Sequence, residues 1–317
     1  MNISNIRQKT ILYAALDWGY GHVTRSIGVI QELLAQENKV IIACNQEQEI
    51  LFKSYFPGLK YEFLEGYNFQ FKGKGKWTWD LFRQRKSFFN SIQNEQKCVK
   101  KWVQEYGCDL VISDHRYGFY STDIPSVFVT HQLHLPISKF FFFVQKWHEK
   151  QIHKFSIVWV LDDEKSTLAG KLSQRIKHPN LKYIAWKSRF KNLEKREIKY
   201  DYLIVVSGPK PYSLKFLDEI QQKVDFKDKK VAVLHPISLE IYIKNSNFDY
   251  FPASDLKTSD ILFLQSETIL SRSGYSTIMD LKFLEKKAIL IPTKGQKEQE
   301  YLAKHLCSNM NNLSIIR

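Results

Sequence analysis

The sequence predicts an α/β protein built as two parallel-sheet domains. Three observations predict it. Short apolar runs of strand length alternate with segments of helical periodicity along most of the 317 residues. Two of those runs end in small-residue turns that open into a helix, at 17–22 and at 271–274. Residues 187–200 are charged and poor in apolar side chains, which marks a linker and divides the chain into domains of 1–190 and 198–317.

Thr10–Leu16 reads as a strand buried on both faces. Asp17–Ser26 follows as a glycine-containing turn. Ile27, Val29, Ile30, Leu33 and Leu34 then recur at helical spacing, and Lys39–Cys44 is the second strand. A βαβ unit of this kind implies a parallel pair with a right-handed crossover. The Gly19-Tyr20-Gly21-His22 turn therefore lies at the C-terminal end of a sheet strand, where open α/β sheets bind ligands. It is not a dinucleotide fingerprint, because the third glycine of GxGxxG is displaced to Gly28, nor a Walker loop, because no GK[ST] follows. His22, with Arg25 one helical turn on, is a candidate functional pair; a histidine packed for structure is the alternative.

Residues 61–105 read as the least regular part of the first domain. Phe69, Phe71, Trp77, Trp79, Phe82, Phe88, Phe89 and Trp102 interleave there with lysines and arginines. The mixture suits a helix pair with a buried aromatic face and a solvated basic face, which is the reading taken. Membrane contact and single-stranded nucleic acid are the alternatives. Asp109–Asp114 and Ser126–Thr130 are strands whose order places Asp114, Arg116 and His131 on the same rim as His22; a satisfied structural polar group is the alternative for each of them separately. Ser156–Leu161 is a further strand.

In the second half, Tyr202–Val206 is a strand with Ser207 and Gly208 at its turn. A helix follows from about Leu214. Lys230–Leu234 and 247–251 are strands, and Ser254-Asp255 cap a helix ending near Ser266. Thr268–Leu270 is a buried strand. Its turn, Ser271-Arg272-Ser273-Gly274, is small enough for a phosphate to approach the backbone. The helix behind it, with Ser276 and Thr277 in its first turn, offers free N–H groups and a positive dipole end. Asp280, further along, supplies a carboxylate for a sugar hydroxyl. Ala288–Ile291 is read as the last strand, and 292–301 turns into a final helix.

Composition narrows the partners without choosing among them. A formal net charge of +14 is compatible with nucleic acid, an anionic membrane or phosphorylated small molecules. The four cysteines are scattered, with no CxxC pair and no zinc spacing, so a reduced cytoplasmic setting and no bound metal are expected. No run approaches the roughly 20 apolar residues that a transmembrane helix needs.

Ser271-Arg272-Ser273-Gly274 through Asp280, then Ile291-Pro292, then Gln299-Glu300-Tyr301, resembles the C-terminal signature of glycosyltransferase family 28, which includes the MurG-like N-acetylglucosaminyltransferases. The Gly19–His22 turn resembles that family's N-terminal glycine-rich loop. The GYGHVTRS pattern is also similar to a less characterised branch of the family, which points away from peptidoglycan. The resemblance implies a GT-B fold, two Rossmann-like domains facing across a cleft, with a nucleotide sugar on the C-terminal side and the acceptor on the N-terminal side. Transfer would invert the anomeric centre without a metal or other cofactor. By position, Ser271, Arg272, Ser273, Gly274, Ser276 and Thr277 would hold the diphosphate, Asp280 the ribose, and Gln299 the donor sugar. Glu300 departs from the family's second glutamine. Ser207 and Gly208 fall on a glycine–serine turn that Pro209 and Pro211 alter. Little chain follows the last motif helix to build the closing helix usual in GT-B proteins.

These readings make the protein a transferase of hexosyl or N-acetylhexosaminyl groups from a donor expected to be UDP-linked. His22 or Asp114 serves as general base, and we favour His22. Gly19, Gly21, Arg25, Arg116 and His131 line the acceptor side. The acceptor is a hydroxyl, with a lipid-linked or cell-surface glycan precursor fitting a peripheral position on the inner membrane face; nucleic acid is not expected. A sugar-nucleotide hydrolase or epimerase is the first alternative. A basic nucleic-acid- or membrane-binding protein without catalysis is the second.

Overall fold

The computed structural model describes residues 1–67, 83–138, 141–208, 210–236, 248–308 and 312–315. Among these, residues 1–67 and 83–189 form one compact unit and residues 190–315 the other.

The first unit holds strands β1 (Thr10–Ala15), β2 (Lys39–Cys44), β3 (Lys60–Phe63), β4 (Leu110–Asp114), β5 (Ser126–Thr130), β6 (Ile157–Val160) and β7 (Leu181–Tyr183), all parallel, in the order 3-2-1-4-5-6-7. Its helices are α1 (Tyr20–Leu34), α2 (Gln46–Lys53), α3 (Arg85–Tyr106) and α4 (Phe142–Ile152). Ile11 to Ala15 are all buried with no polar alternate, because a parallel strand between helical layers has no solvated face. Strand order reverses between β1 and β4, and the crevice that such a reversal opens lies at their C-terminal ends.

The second unit repeats the plan. β8 (Tyr200–Val205), β9 (Val231–His235), β10 (Phe248–Pro252), β11 (Ser266–Ser271), β12 (Lys287–Leu290) and β13 (Leu313–Ile315) are parallel in the order 10-9-8-11-12-13, the same 3-2-1-4-5-6 ranking. Helices α5 (Lys210–Lys223), α6 (Leu256–Gln265), α7 (Tyr275–Leu284) and α8 (Lys297–Cys307) accompany them. Ile204, Phe216, Ile220, Val233 and Leu270 form the core between sheet and helix. The reversal here falls between β8 and β11, beside Ser207–Gly208 and Ser271–Gly274.

Four differences from the sequence reading have physical causes. The helix expected near Ile27 begins at Tyr20, because Gly19 takes φ 73° and turns the chain straight into it. Residues 61–105 are not irregular throughout: α3 runs 22 residues, buries Glu95, Val99, Trp102 and Val103, and ends on Gly107 at φ 57°. Its basic residues Lys97, Lys100 and Lys101 are exposed, so in this part aromatic and basic residues are two faces of one helix. β7 and β13 escaped notice because each is a three-residue edge strand, too short to show periodicity; β13 also means that β12 is not the last strand. Phe69, Phe71, Trp77, Trp79, Phe82, Phe140, Pro209 and Asn247 lie outside the described residues.

Candidate active site

The first unit gathers its polar groups on one carboxylate. Asp114 is the last residue of β4 and is fully buried beside Ala15 of β1. His22, Arg25 and Ser26 stand at i, i+3 and i+4 on α1, so they share one face, and all three reach Asp114. His22 Nδ1 lies 3.2 Å from Oδ1, Arg25 Nε donates to Oδ2 at 2.7 Å, and Ser26 Oγ donates to Oδ2 at 3.1 Å. A second Arg25 nitrogen, Nη2, donates to Oδ1. Tyr13 of β1 backs the cluster, its hydroxyl donating to Ser26 Oγ at 2.9 Å. Arg25 Nη1 donates to His131 Nδ1 at 2.9 Å, which leaves the His131 proton on Nε2.

Burial would push the Asp114 carboxyl up, but Arg25 and His22 outweigh it and hold it well below the usual carboxylate range. Burial and Arg25 lower His22, against the opposing pull of Asp114. His22 is thus a neutral imidazole at neutral pH. With Nδ1–H donated to a carboxylate, its Nε2 carries the lone pair, and its side chain keeps 16% exposure where Asp114 has none. That geometry can accept a proton from an incoming hydroxyl.

Of the other acceptor-side residues, Gly19 and Gly21 shape the entry to α1, and His131 is drawn in by Arg25. Arg116 lies just past the end of β4, with Nη1 3.4 Å from both the Ala15 carbonyl and Asp17 Oδ1 at the end of β1, but its side chain is committed to the fold. Its fully buried guanidinium donates to Glu95 at 2.6 Å and to the Glu65 carbonyl at 2.7 Å, and stacks over Tyr67, tying α3 to the β3 loop. Sequence reasoning passed over Ser26, Tyr13 and His115. Ser26 could have been found from its i+4 spacing to His22. His115 could not: it takes φ 63° directly after β4, its ring 6.0 Å from that of His22 and its Nδ1 3.0 Å from Thr130 Oγ1.

The second unit offers neutral donors instead. Gly274 caps α7 with no side-chain bond to the first turn, so the N–H groups of Ser276 and Thr277 are left for a ligand or solvent. Gly274 sits at an ordinary φ of −75° and a Cβ there would meet nothing within 4 Å. Neither backbone nor packing demands glycine, which leaves room beside the helix end as the reason for it. Gly208 differs, since its φ of 93° itself favours glycine; its carbonyl accepts from Ser213 Oγ at 2.7 Å, and Ser207 beside it is exposed. Ser271 Oγ is buried and has no partner among the described residues. Ser273 Oγ donates to the Gln299 carbonyl at 2.8 Å, pinning the turn to α8.

Arg272 points inward. Nη1 donates to Glu219 and the Ile291 carbonyl at 3.0 Å each and to the Pro292 carbonyl at 3.3 Å, while Nη2 donates to the Tyr212 carbonyl at 3.1 Å. It ties α5 and the loops after β11 and β12 together from behind. Gln299 and Glu300 brace the third of these: Gln299 Oε1 accepts from Thr293 N and Glu300 Oε1 from Gly295 N, both at 2.8 Å. Asp280 is buried, and after burial itself its charge is what pushes Asp260 of α6 up to about 8. It is set deeper than Ser276 and Thr277, which are partly exposed.

Among the described residues, no group of three or more His, Cys, Asp and Glu side chains is arranged to hold a metal ion. No described helix is long and apolar enough to cross a membrane.

Residues 214–315 match the family described as Glycosyltransferase family 28 C-terminal domain. No curated protein matches the sequence. Among solved structures, UGT2 of Phytolacca americana complexed with UDP-2-fluoro-glucose and pterostilbene superposes with a TM-score of 0.66 at 14% identity, over 98% of this chain and 86% of that one. The glycotransferase of kitacinnamycin gives 0.64 at 12% identity, over 98% and 86%. The spinosyn rhamnosyltransferase SpnG complexed with thymidine diphosphate gives 0.59 at 11% identity, over 97% and 86%. At these identities the likeness establishes the fold, which is GT-B with two Rossmann-like domains.

Proposed function

We propose, from the premise that residues 214–315 are a glycosyltransferase family 28 C-terminal domain on a GT-B fold, that the protein transfers a sugar from a nucleotide sugar to a hydroxyl acceptor with inversion and without a metal. The observation that carries the reading is His22, fixed by Asp114 with Nε2 left as the proton acceptor. The acceptor hydroxyl gives its proton to His22 Nε2 as its oxygen bonds to the anomeric carbon. The bond from that carbon to the diphosphate breaks on the opposite side, so configuration inverts, and the electron pair leaves with the nucleoside diphosphate. Its charge is met by the N–H groups of Ser276 and Thr277 at the start of α7, the dipole behind them and the hydroxyls of Ser271, Ser276 and Thr277. Arg272 contributes by holding those loops in register. Asp280 serves the ribose and Gln299 and Glu300 the donor sugar, a hexose or N-acetylhexosamine. A UDP-linked donor is favoured, and the relatives crystallised with a UDP-sugar or thymidine diphosphate make both nucleotides necessary probes.

Melting the protein with UDP, TDP and their sugars, then analysing products with and without an acceptor extract, tests this. Stabilisation by one nucleotide and acceptor-dependent transfer are expected. Sugar release into water alone would make the protein a hydrolase, isomerised donor an epimerase, and no stabilisation by any nucleotide would remove the donor site.

The acceptor is proposed to be lipid-linked, met at an anionic bilayer. Phe89, Phe141, Phe142 and Phe143 are exposed at the ends of α3 and α4, with Phe89 6.0 Å from Trp147 ring to ring. Exposed Arg83, Arg85, Lys86, Lys146 and Lys150 accompany them, an aromatic centre with a basic rim that suits anionic headgroups. Replacing Phe142 and Phe143 by serine should cut co-sedimentation with phosphatidylglycerol vesicles about tenfold. Equal binding by the variant would place membrane contact elsewhere.

A further inference from the structure

Arg25 does more than fill a buried position. Its side chain is 1% exposed, it grips both oxygens of Asp114, and its remaining terminal nitrogen is donated to His131. Because it stands three residues after His22 on the same helix, the spacing that aims His22 at Asp114 also brings the guanidinium onto that carboxylate. In an isolated carboxylate–imidazole pair, the negative charge stabilises the imidazolium and makes the free nitrogen more basic. Here the same charge is met at closer range by a permanent cation.

We propose that Arg25 is a positioning residue that neutralises Asp114, so that Asp114 orients His22 without charging it. Asp114 then fixes the ring and its tautomer, while the electrostatic gain that would favour imidazolium is cancelled by the guanidinium beside it. Of the groups that face His22, Asp114 alone favours its protonated form, while Arg25 and His131 oppose it. Arg25 stands on its own helix, the His115 ring follows β4 at 6.0 Å, and His131 follows β5; Asp114 is the one anion among them. Burial acts in the same direction as Arg25, and His22 is lowered with burial first and Arg25 second among the causes. The consequence is a base that remains deprotonated into mildly acid conditions and takes its proton only as the acceptor oxygen bonds to carbon. His131, with Nδ1 committed to Arg25, presents Nε2–H as a hydrogen-bond donor.

The inference rests on the reading of His22 as the base, yet its test needs no turnover. The nine histidines are few enough for their ring carbons to be followed by NMR through a pH titration of the full chain, with His22→Gln identifying the His22 signal. In the wild type, His22 should titrate below the ordinary 6.5. In Arg25→Met its midpoint should rise by at least about one unit, a tenfold gain in proton affinity. Arg25→Lys, which keeps the cation, should stay near the wild type. A wild-type midpoint above 6.5, or Arg25→Met and Arg25→Lys behaving alike, would overturn the proposal. If Arg25→Met does not fold, Arg25→Gln, which keeps a hydrogen-bond donor toward Asp114 without the charge, takes its place and should show the same rise. Expected titrations with no sugar transfer from any nucleotide sugar would leave the Arg25 assignment standing and reject the transferase reading instead.

Discussion

The two sheets share one strand ranking, and both reverse order beside a small-residue turn, but their rims are built from opposite materials. At the end of β4, a buried carboxylate, a guanidinium and an imidazole close on one another, and little is left over except His22 Nε2. At the end of β11, the one arginine is turned away into the fold, and the surface is left to backbone N–H groups and hydroxyls. The first arrangement suits moving a proton, because charges fixed in a low-dielectric site set where the proton rests. The second suits holding an anion, because dipoles that need no counter-charge are free to receive one. Topology locates a site; the side chains at the switch point decide its chemistry.

The sharpest break between the rims is functional. His22→Ala should lower turnover about a hundredfold or more while nucleotide affinity stays near wild type, since a general base contributes to the transition state alone. Unchanged turnover would remove the base from the first rim. Next in size is Arg272→Met, which strands the carbonyls of Tyr212, Ile291 and Pro292 and should destabilise the second unit by about 3 kcal/mol. Hydrogen exchange would register this as lost protection in α5, β11 and β12 with β1 and β4 unaffected; equal protection throughout would show that Arg272 does not lock the loops. Gly274→Ala is subtler. Its Cβ enters open space at a permitted φ, so folding should change by no more than about 0.5 kcal/mol. Nucleotide binding should nevertheless weaken about tenfold if that space is the phosphate's. Calorimetry showing unaltered affinity would move the diphosphate away from α7.

The smallest expected effect is a contrast in acid. His148 is buried between Tyr117 and the Gln132 carbonyl and is lowered to about 4, chiefly by burial. Burial likewise lowers His22 and His115, the latter well below its usual value. Between 6.5 and 4 the unfolded chain therefore binds protons that the folded first unit refuses, and stability falls as pH drops through that window. Asp260 works the other way. Raised from 3.8 to about 8 by burial and Asp280, it keeps a proton that the unfolded chain releases, so the second unit loses stability as pH rises from about 4 to about 8. Exchange rates corrected for intrinsic pH dependence should show protection in the two units moving in opposite directions between pH 5 and pH 8. Asp260→Asn should flatten the trend in the second unit only. Parallel trends would mean that these buried groups do not govern either slope.

Much of this was legible in the sequence. Continuous apolar runs such as Ile11–Ala15 and Val127–Val129 can only be strands covered on both faces, and their alternation with helical stripes required parallel sheets. Gly19–His22 and Ser271–Gly274 were recognisable because a turn at the C-terminal end of a parallel strand is a ligand position whatever the rest of the fold does. Spacing along one helix also carried real information, as His22, Arg25 and Ser26 show. What the sequence could not supply was the partner of each charge. Arg25, Arg116 and Arg272 are alike as letters, each beside a turn. Only tertiary structure gave Arg25 to Asp114 and His131, sent Arg116 to Glu95, and turned Arg272 onto three carbonyls distant in the chain. Pairing of buried charges depends on contacts across 89, 21 and up to 60 residues of sequence, and no local period encodes those. Apolar periodicity determined the sheets and the rims; desolvation, acting on the assembled fold, decided which rim would gather paired charges and which would be left with neutral donors.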